Sequence, residues 1–101
     1  MKIFSYGTLW QKEVQIAVFG RTFSVEPDMD FISGWTLTLV KMNGTYYNVA
    51  VESDKSSIIT GAIVKIPERY TKKMDEYEGD DYKRVWVTTM TGNNCQMYVK
   101  K

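Results

Sequence analysis

Between Trp35 and Glu52, two runs rich in Thr, Val, Leu and Tyr flank the dipeptide Asn43-Gly44. No other part of the chain constrains the fold as strongly. A two-residue type I′ turn needs positive φ at both central positions, and Asn-Gly supplies it at low steric cost. Trp35–Met42 and Thr45–Glu52 are therefore expected to form an antiparallel hairpin.

The rest of the chain follows a similar rhythm. Residues 1–6 read as a strand interrupted at Gly7. Trp10–Phe19 reads as a short helix, with Trp10, Val14, Ala17 and Val18 near one face and Gly20 at its C-terminal cap. Thr22–Val25 is expected as a strand closed by Glu26-Pro27-Asp28, and Ser53–Ser57 as a polar loop. Ile58–Ile66 forms the next strand, broken at Gly61 and stopped by Pro67. Glu68–Glu78 reads as a helix carrying Tyr70, Met74 and Tyr77 on one face, with Gly79 after it. Tyr82–Met90 and Cys95–Val99 form a second hairpin across Thr91-Gly92-Asn93-Asn94. The expected order is β-α-β-β-β-β-α-β-β, an α+β arrangement whose sheet curls to avoid long exposed edges.

A chain of 101 residues has the length of one domain, residues 1–101. No apolar run approaches the roughly 18–20 residues that span a bilayer, so no membrane role is expected. The N-terminus reads directly into a strand and lacks the long apolar region of a signal peptide, so a cytoplasmic location is expected. Thirteen basic and twelve acidic residues leave a net charge of +1 with no basic stripe, which argues against nucleic acid as a partner. The chain has no histidine, so catalysis by Ser-His-Asp or Cys-His groups and His-ligated metal sites are excluded. Cys95 is the only cysteine and has no basic neighbour in sequence, which suits a structural role in a reducing compartment.

Two segments remain as places for chemistry. Tyr6-Gly7-Thr8-Leu9 lies between the first strand and the first helix. Gly7 there permits a tight turn, successive N–H groups can converge on an anion, and a helix N-terminus behind them adds partial positive charge. The same four residues also read as a plain strand-to-helix turn. Asp75-Glu76-Tyr77-Glu78-Gly79-Asp80-Asp81 places five acids at a helix C-terminus, where the dipole disfavours anions. Such crowding raises the pKa of a carboxylate, as a general acid/base near neutral pH requires. A solvated acidic helix end explains the run equally well. Its spacing does not fit an EF-hand loop, since the twelfth position counted from Asp75 is Trp86. No metal site is assigned. The tyrosines and tryptophans at alternating strand positions are expected in the core.

Taken in order, the two segments resemble the gamma-glutamylcyclotransferase-like (AIG2-like) family. Phe4-Ser5-Tyr6-Gly7-Thr8-Leu9 is similar to its N-terminal signature. Met74-Asp75-Glu76-Tyr77-Glu78-Gly79 with Tyr82-Lys83-Arg84 is similar to its later Leu-Asp-x-x-Glu-Gly and Tyr-x-Arg elements. Val14-Gln15, Gly20-Arg21, Gly34-Trp35 and Gly61 fall in the expected order between them. The resemblance implies a small mixed, mostly antiparallel β-barrel flanked by short helices. It also implies a cofactor-independent transferase that cyclises a gamma-glutamyl amide to 5-oxoproline and releases an amine or amino acid. Glu78 would then be the catalytic carboxylate. Tyr6, Gly7, Thr8, Leu9 and Tyr82 would bind the substrate, and Arg84 either joins them or pairs with the adjacent acids. Val64 stands where many members carry an aromatic, which is expected to alter the pocket wall. The alternative within the same fold is a catalytically silent module that binds a small molecule.

Overall fold

The computed structural model describes residues 1–101. Strand β1 spans Lys2–Ser5, helix α1 Lys12–Phe19, and strands β2, β3, β4 and β5 span Asp30–Ser33, Trp35–Met42, Thr45–Glu52 and Ile58–Lys65. A single 3-10 turn, Glu68–Tyr70, leads into α2 at Thr71–Glu78, followed by β6 at Tyr82–Thr88 and β7 at Asn94–Lys100. Five strands form one curled sheet in the order β2-β5-β1-β7-β6, while β3 and β4 form a separate two-stranded sheet. The result is an α+β half-barrel, antiparallel except where β1 meets β7. The Asn43-Gly44 hairpin is present: φ is 51° at Asn43 and 81° at Gly44, and the ladder runs unbroken from Met42–Thr45 to Trp35–Glu52.

Period-two alternation divides the core between the two faces of the five-stranded sheet. Phe4, Ile63, Met97 and Val99 face the hairpin side, together with Ala50 and Trp35. Ile3, Val64 and Tyr98 face the helices, where Leu9, Phe19 and Met74 cover them. Val64 thus belongs to the helix-side core and does not shape a pocket wall. Phe19, Phe23 and Tyr70 meet edge to face, with ring centroids 5.0–5.7 Å apart, and fasten the end of α1 to the turn before α2.

Three expectations need correction. Thr22–Val25 is not a strand; Val25 makes one isolated bridge to Val64. The chain runs antiparallel along β5 in two pieces, first near Val25 and then as β2, where Phe31 pairs with Thr60. Pro27 lies between the pieces and has no N–H to offer a ladder. Second, Gly61 does not break β5. A Cβ there would lie 2.6 Å from both the Phe4 ring and the Ser5 carbonyl oxygen, so glycine is what lets β1 approach so closely. Third, α1 starts at Lys12 rather than Trp10, and Trp10 and Ala17 are exposed while Gln15 and Phe19 are buried.

The two edge strands approach each other at one end of the curl. Met90 N–H donates to the Phe31 carbonyl at 2.8 Å. Buried Asp30 accepts hydrogen bonds from Thr91 Oγ1 at 2.7 Å, Asn93 Nδ2 at 2.9 Å and Phe31 N at 2.8 Å. Burial works to raise its pKa, but these donors outweigh it and hold the carboxyl well below the usual carboxylate range.

Candidate active site

The end of β1, the end of α2 and the tip of the β3–β4 hairpin enclose a cavity of about 560 Å³. Tyr6, Gly7, Thr8 and Leu9 line it, and so do Glu78 and Tyr82. Two segments about seventy positions apart in sequence thus share one space. Arg84 is not among its walls: its Nε and Nη2 donate to Asp75 at 2.8 and 3.3 Å, and its Nη1 donates to Gln96 at 3.1 Å.

The loop is built from β1 outward. Once the ladder ends at Ser5, the N–H groups of Gly7, Thr8 and Leu9 have no protein acceptor, while the Thr8 carbonyl accepts from Gln11 N–H at 2.9 Å. Buried Gln15 fixes the far end: its Nε2 donates to the Leu9 carbonyl at 2.9 Å and its Oε1 accepts from Phe23 N–H at 2.8 Å. A fully buried amide with both ends satisfied is a positional device, and nothing in the local pattern sets it apart from any helical Gln. Gly7 has no left-handed φ, and a Cβ there would meet nothing within 4 Å. The tight-turn argument for this glycine therefore fails. A Cβ here would meet open space, so crowding does not demand the glycine either. No residue of α1 lines the cavity, so a helix N-terminus is not among its walls, whereas the residues carrying the free loop amides are.

Glu78 is the last residue of α2 and is half-buried. Burial alone raises its pKa to about 7, and no hydrogen bond offsets that burial. Gly79 follows with φ 86° and ψ 179°, a combination only glycine adopts readily, and it turns the chain toward Tyr82. One turn before Glu78, Asp75 accepts from Tyr98 Oη at 2.5 Å as well as from Arg84. Burial works to raise the Asp75 pKa, but those two donors and the Arg84 charge lower it overall. The acidic run therefore divides into three uses. Asp75 anchors the helix to β6 and β7, Glu78 and Asp81 line the cavity, and Glu76 and Asp80 are exposed.

Tyr6 Oη donates to the Tyr98 carbonyl at 2.6 Å, and burial, reinforced by the charge of Glu78, pushes its pKa up to about 12. Tyr6 therefore stays a neutral donor and acceptor throughout the physiological range. Tyr98 also lines the cavity, and burial together with its bond to Asp75 raises its phenol. The sequence pattern did not single out Tyr98. The hairpin wall was missed as well: Met42, Tyr46, Tyr47 and Asn48 line the cavity, with Tyr46 62% and Tyr47 47% exposed. The expectation that strand aromatics are core residues fails at these two positions, which wall the cavity, and at Trp86 on β6, which is 71% exposed. The hairpin rule forecasts pairing, not what the tip overhangs.

Comparison with known proteins places these features. The family model described as gamma-glutamyl cyclotransferase, AIG2-like, matches residues 3–101. Among curated proteins, none matches the chain in sequence. An Arabidopsis thaliana protein solved in solution is 23% identical with a TM-score of 0.77, covering 98% of this chain and 61% of its own. An uncharacterized Homo sapiens protein gives 16% identity and a TM-score of 0.80 over 99% of this chain and 66% of its own. A structure described as gamma-glutamyl cyclotransferase gives 18% and 0.77, covering 100% of this chain and 66% of that one. At these identities the likeness is one of fold, and the chain spans about two thirds or less of each of these three proteins.

Proposed function

The chain belongs to the AIG2-like gamma-glutamyl cyclotransferase family, and on that premise we propose that it cyclises a gamma-glutamyl amide to 5-oxoproline with Glu78 as general acid/base. The observation that carries the reading is the position of Glu78. A carboxylate raised to about 7 faces the same cavity as three free loop amides.

The substrate brings its own nucleophile. Its α-ammonium gives a proton to the Glu78 carboxylate, and the freed amine attacks the γ-carbonyl to close a five-membered ring. The new C–N bond leaves an oxyanion on the former carbonyl oxygen. The protonated Glu78 then delivers its proton to the departing nitrogen as the old C–N bond breaks. The ring nitrogen passes its extra proton through the same carboxylate to the released amine, which leaves as an ammonium. 5-oxoproline and an amine leave, Glu78 ends as it began, and no water is consumed. A carboxyl with a pKa near ambient pH is suited to both transfers. The loop N–H groups of Gly7, Thr8 and Leu9 hold the α-carboxylate, and a donor among them stabilises the oxyanion. Tyr6 and Tyr82 orient the folded glutamyl chain, so that ring closure gains from proximity.

The test is 5-oxoproline release from a panel of gamma-glutamyl amides, followed by mass spectrometry. Wild type is expected to release it, and Glu78→Gln to fall by at least about a hundredfold, the usual contribution of a positioned acid/base. Equal rates would remove Glu78 from the mechanism. Binding without any turnover by folded wild type would assign the cavity to a silent binding module instead.

A further inference from the structure

Strand β6 is an edge of the five-stranded sheet, and the bond from Met90 N–H to the Phe31 carbonyl, which ties the two edges, lies beyond its end. On its inner side the ladder to β7 runs without a bulge from Tyr82–Lys100 to Thr88–Asn94. Lys101 N–H donating to the Asp81 carbonyl and Thr89 N–H donating to the Asn93 carbonyl bracket that ladder, both at 2.9 Å. Hydrogen-bonded pairs recur at every second residue of an antiparallel ladder. Lys83, Val85 and Val87 therefore turn their N–H and C=O groups toward β7. Arg84, Trp86 and Thr88 turn theirs away, and no group of the protein pairs with them. Such a row is a template for a further strand.

Native edges are blunted by charge, proline or a bulge. Here the charges stop at Lys83 and Arg84, while Val85-Trp86-Val87-Thr88 has neither charge nor proline. Val85 and Val87 pack on the core, yet Trp86 between them lies open to solvent. A second β6 laid antiparallel about Val85 answers each of these features. Arg84 then faces Trp86 of the second copy, Lys83 faces Val87, and Tyr82 faces Thr88. Outward-turned backbone meets outward-turned backbone at Arg84 and Trp86. The cationic half of each strand lies against the uncharged half of the other, whereas a parallel copy in register would set Lys83 and Arg84 against themselves. Asp75 and Gln96 already take the in-plane donors of Arg84, which leaves a flat guanidinium face to stack on the indole.

We propose that β6 pairs antiparallel with β6 of a second copy of this chain, about a two-fold axis at Val85, so that two curled sheets join into one. The contact is isologous and small, so monomer and dimer are expected to exchange at about 10–500 μM.

Sedimentation velocity of the full chain across that range tests it, with amide hydrogen exchange measured on the same samples. Wild type is expected to pass from monomer to dimer. As it does, the Arg84 and Trp86 amides should gain about tenfold protection or more, while those of Val85 and Val87 stay protected at every concentration. Trp86→Lys sets a cation opposite Arg84 and is expected to weaken association by about tenfold or more, whereas Trp86→Glu sets an anion there and keeps the dimer. Thr88→Pro removes an outward N–H and none that bonds β7, so it should give a folded monomer, checked by its melting curve. A wild type monomeric throughout would overturn the proposal and leave the edge to a strand of another protein. A dimer in which Arg84 and Trp86 gain no protection would overturn it too. Loss of the dimer in Trp86→Glu as well as in Trp86→Lys would overturn the pairing about Val85.

Discussion

Glu78 sits at odds with stability, and the sign of that conflict can be worked out. Its folded pKa of about 7 lies above the ordinary value of 4.5, so the native state holds a proton that the unfolded chain releases between those two values. Native stability therefore falls as pH rises through that window, and the burden is complete above about 7. Glu78→Gln should remove it. At pH 8 the variant is expected to be more stable than wild type by about 1–3 kcal/mol, discounted for partial exposure. That corresponds to a Tm several degrees higher. At pH 5 the two should melt nearly together. Melting curves at both pH values check this, and a variant less stable than wild type at pH 8 would contradict the assigned burial cost. A carboxyl that weakens the fold at working pH is a common mark of a site kept for chemistry.

At the scale of elements, α2 is held at both ends of its last turn, by Asp75 to Arg84 and Tyr98, and by Gly79 through its backbone. Open space surrounds Gly79, so what excludes another residue is φ 86° with ψ 179°, not crowding. Gly79→Ala is expected to cost about 1–3 kcal/mol and, by shifting Glu78, to lower kcat more than it raises KM. Denaturant unfolding and steady-state kinetics measure the two effects. The elements differ in how openly the sequence declares them. Asn43-Gly44 announces its hairpin because the turn chemistry is local, and Glu78-Gly79 announces a helix end for the same reason. Asp30–Ser33 stays silent, because four residues after an interrupting Pro27 form a strand only when β5 offers its edge. The site divides along the same line. The loop and Glu78 lie in recognisable short patterns, whereas Tyr98, Gln15 and the hairpin tyrosines acquire their roles only through tertiary placement.

For the whole molecule, the matter that decides integrity is how the curled sheet closes upon itself. Asp30, at the start of one edge strand, gathers donors from the turn that follows the other. Its pKa is depressed on folding, so its contribution is present above the unfolded value and lost as acid titrates the folded carboxyl. Asp30→Ala, which leaves Thr91 and Asn93 without their acceptor, is expected to cost about 2–4 kcal/mol at neutral pH. The gap should shrink as pH falls below about 4, where the unfolded chain takes up a proton on Asp30 that the folded carboxylate still refuses. Chemical denaturation across pH reads both. A variant as stable as wild type at pH 7 would show that the sheet closes without this carboxylate.

The central strand gives this architecture a distinctive order of assembly. β1 is made first, yet its neighbours are β5 and β7, so it must wait beside solvent until residues some sixty to ninety positions later arrive. Until then, Gly7, Thr8 and Leu9 lack the wall formed by Glu78, and the ribosome-bound fragment has no cavity to fill. Contacts of such sequence range make folding slow and all-or-none. A ligand bound between the loop and α2 therefore ties together residues some seventy positions apart, acting as a clasp across the fold rather than on one corner of it.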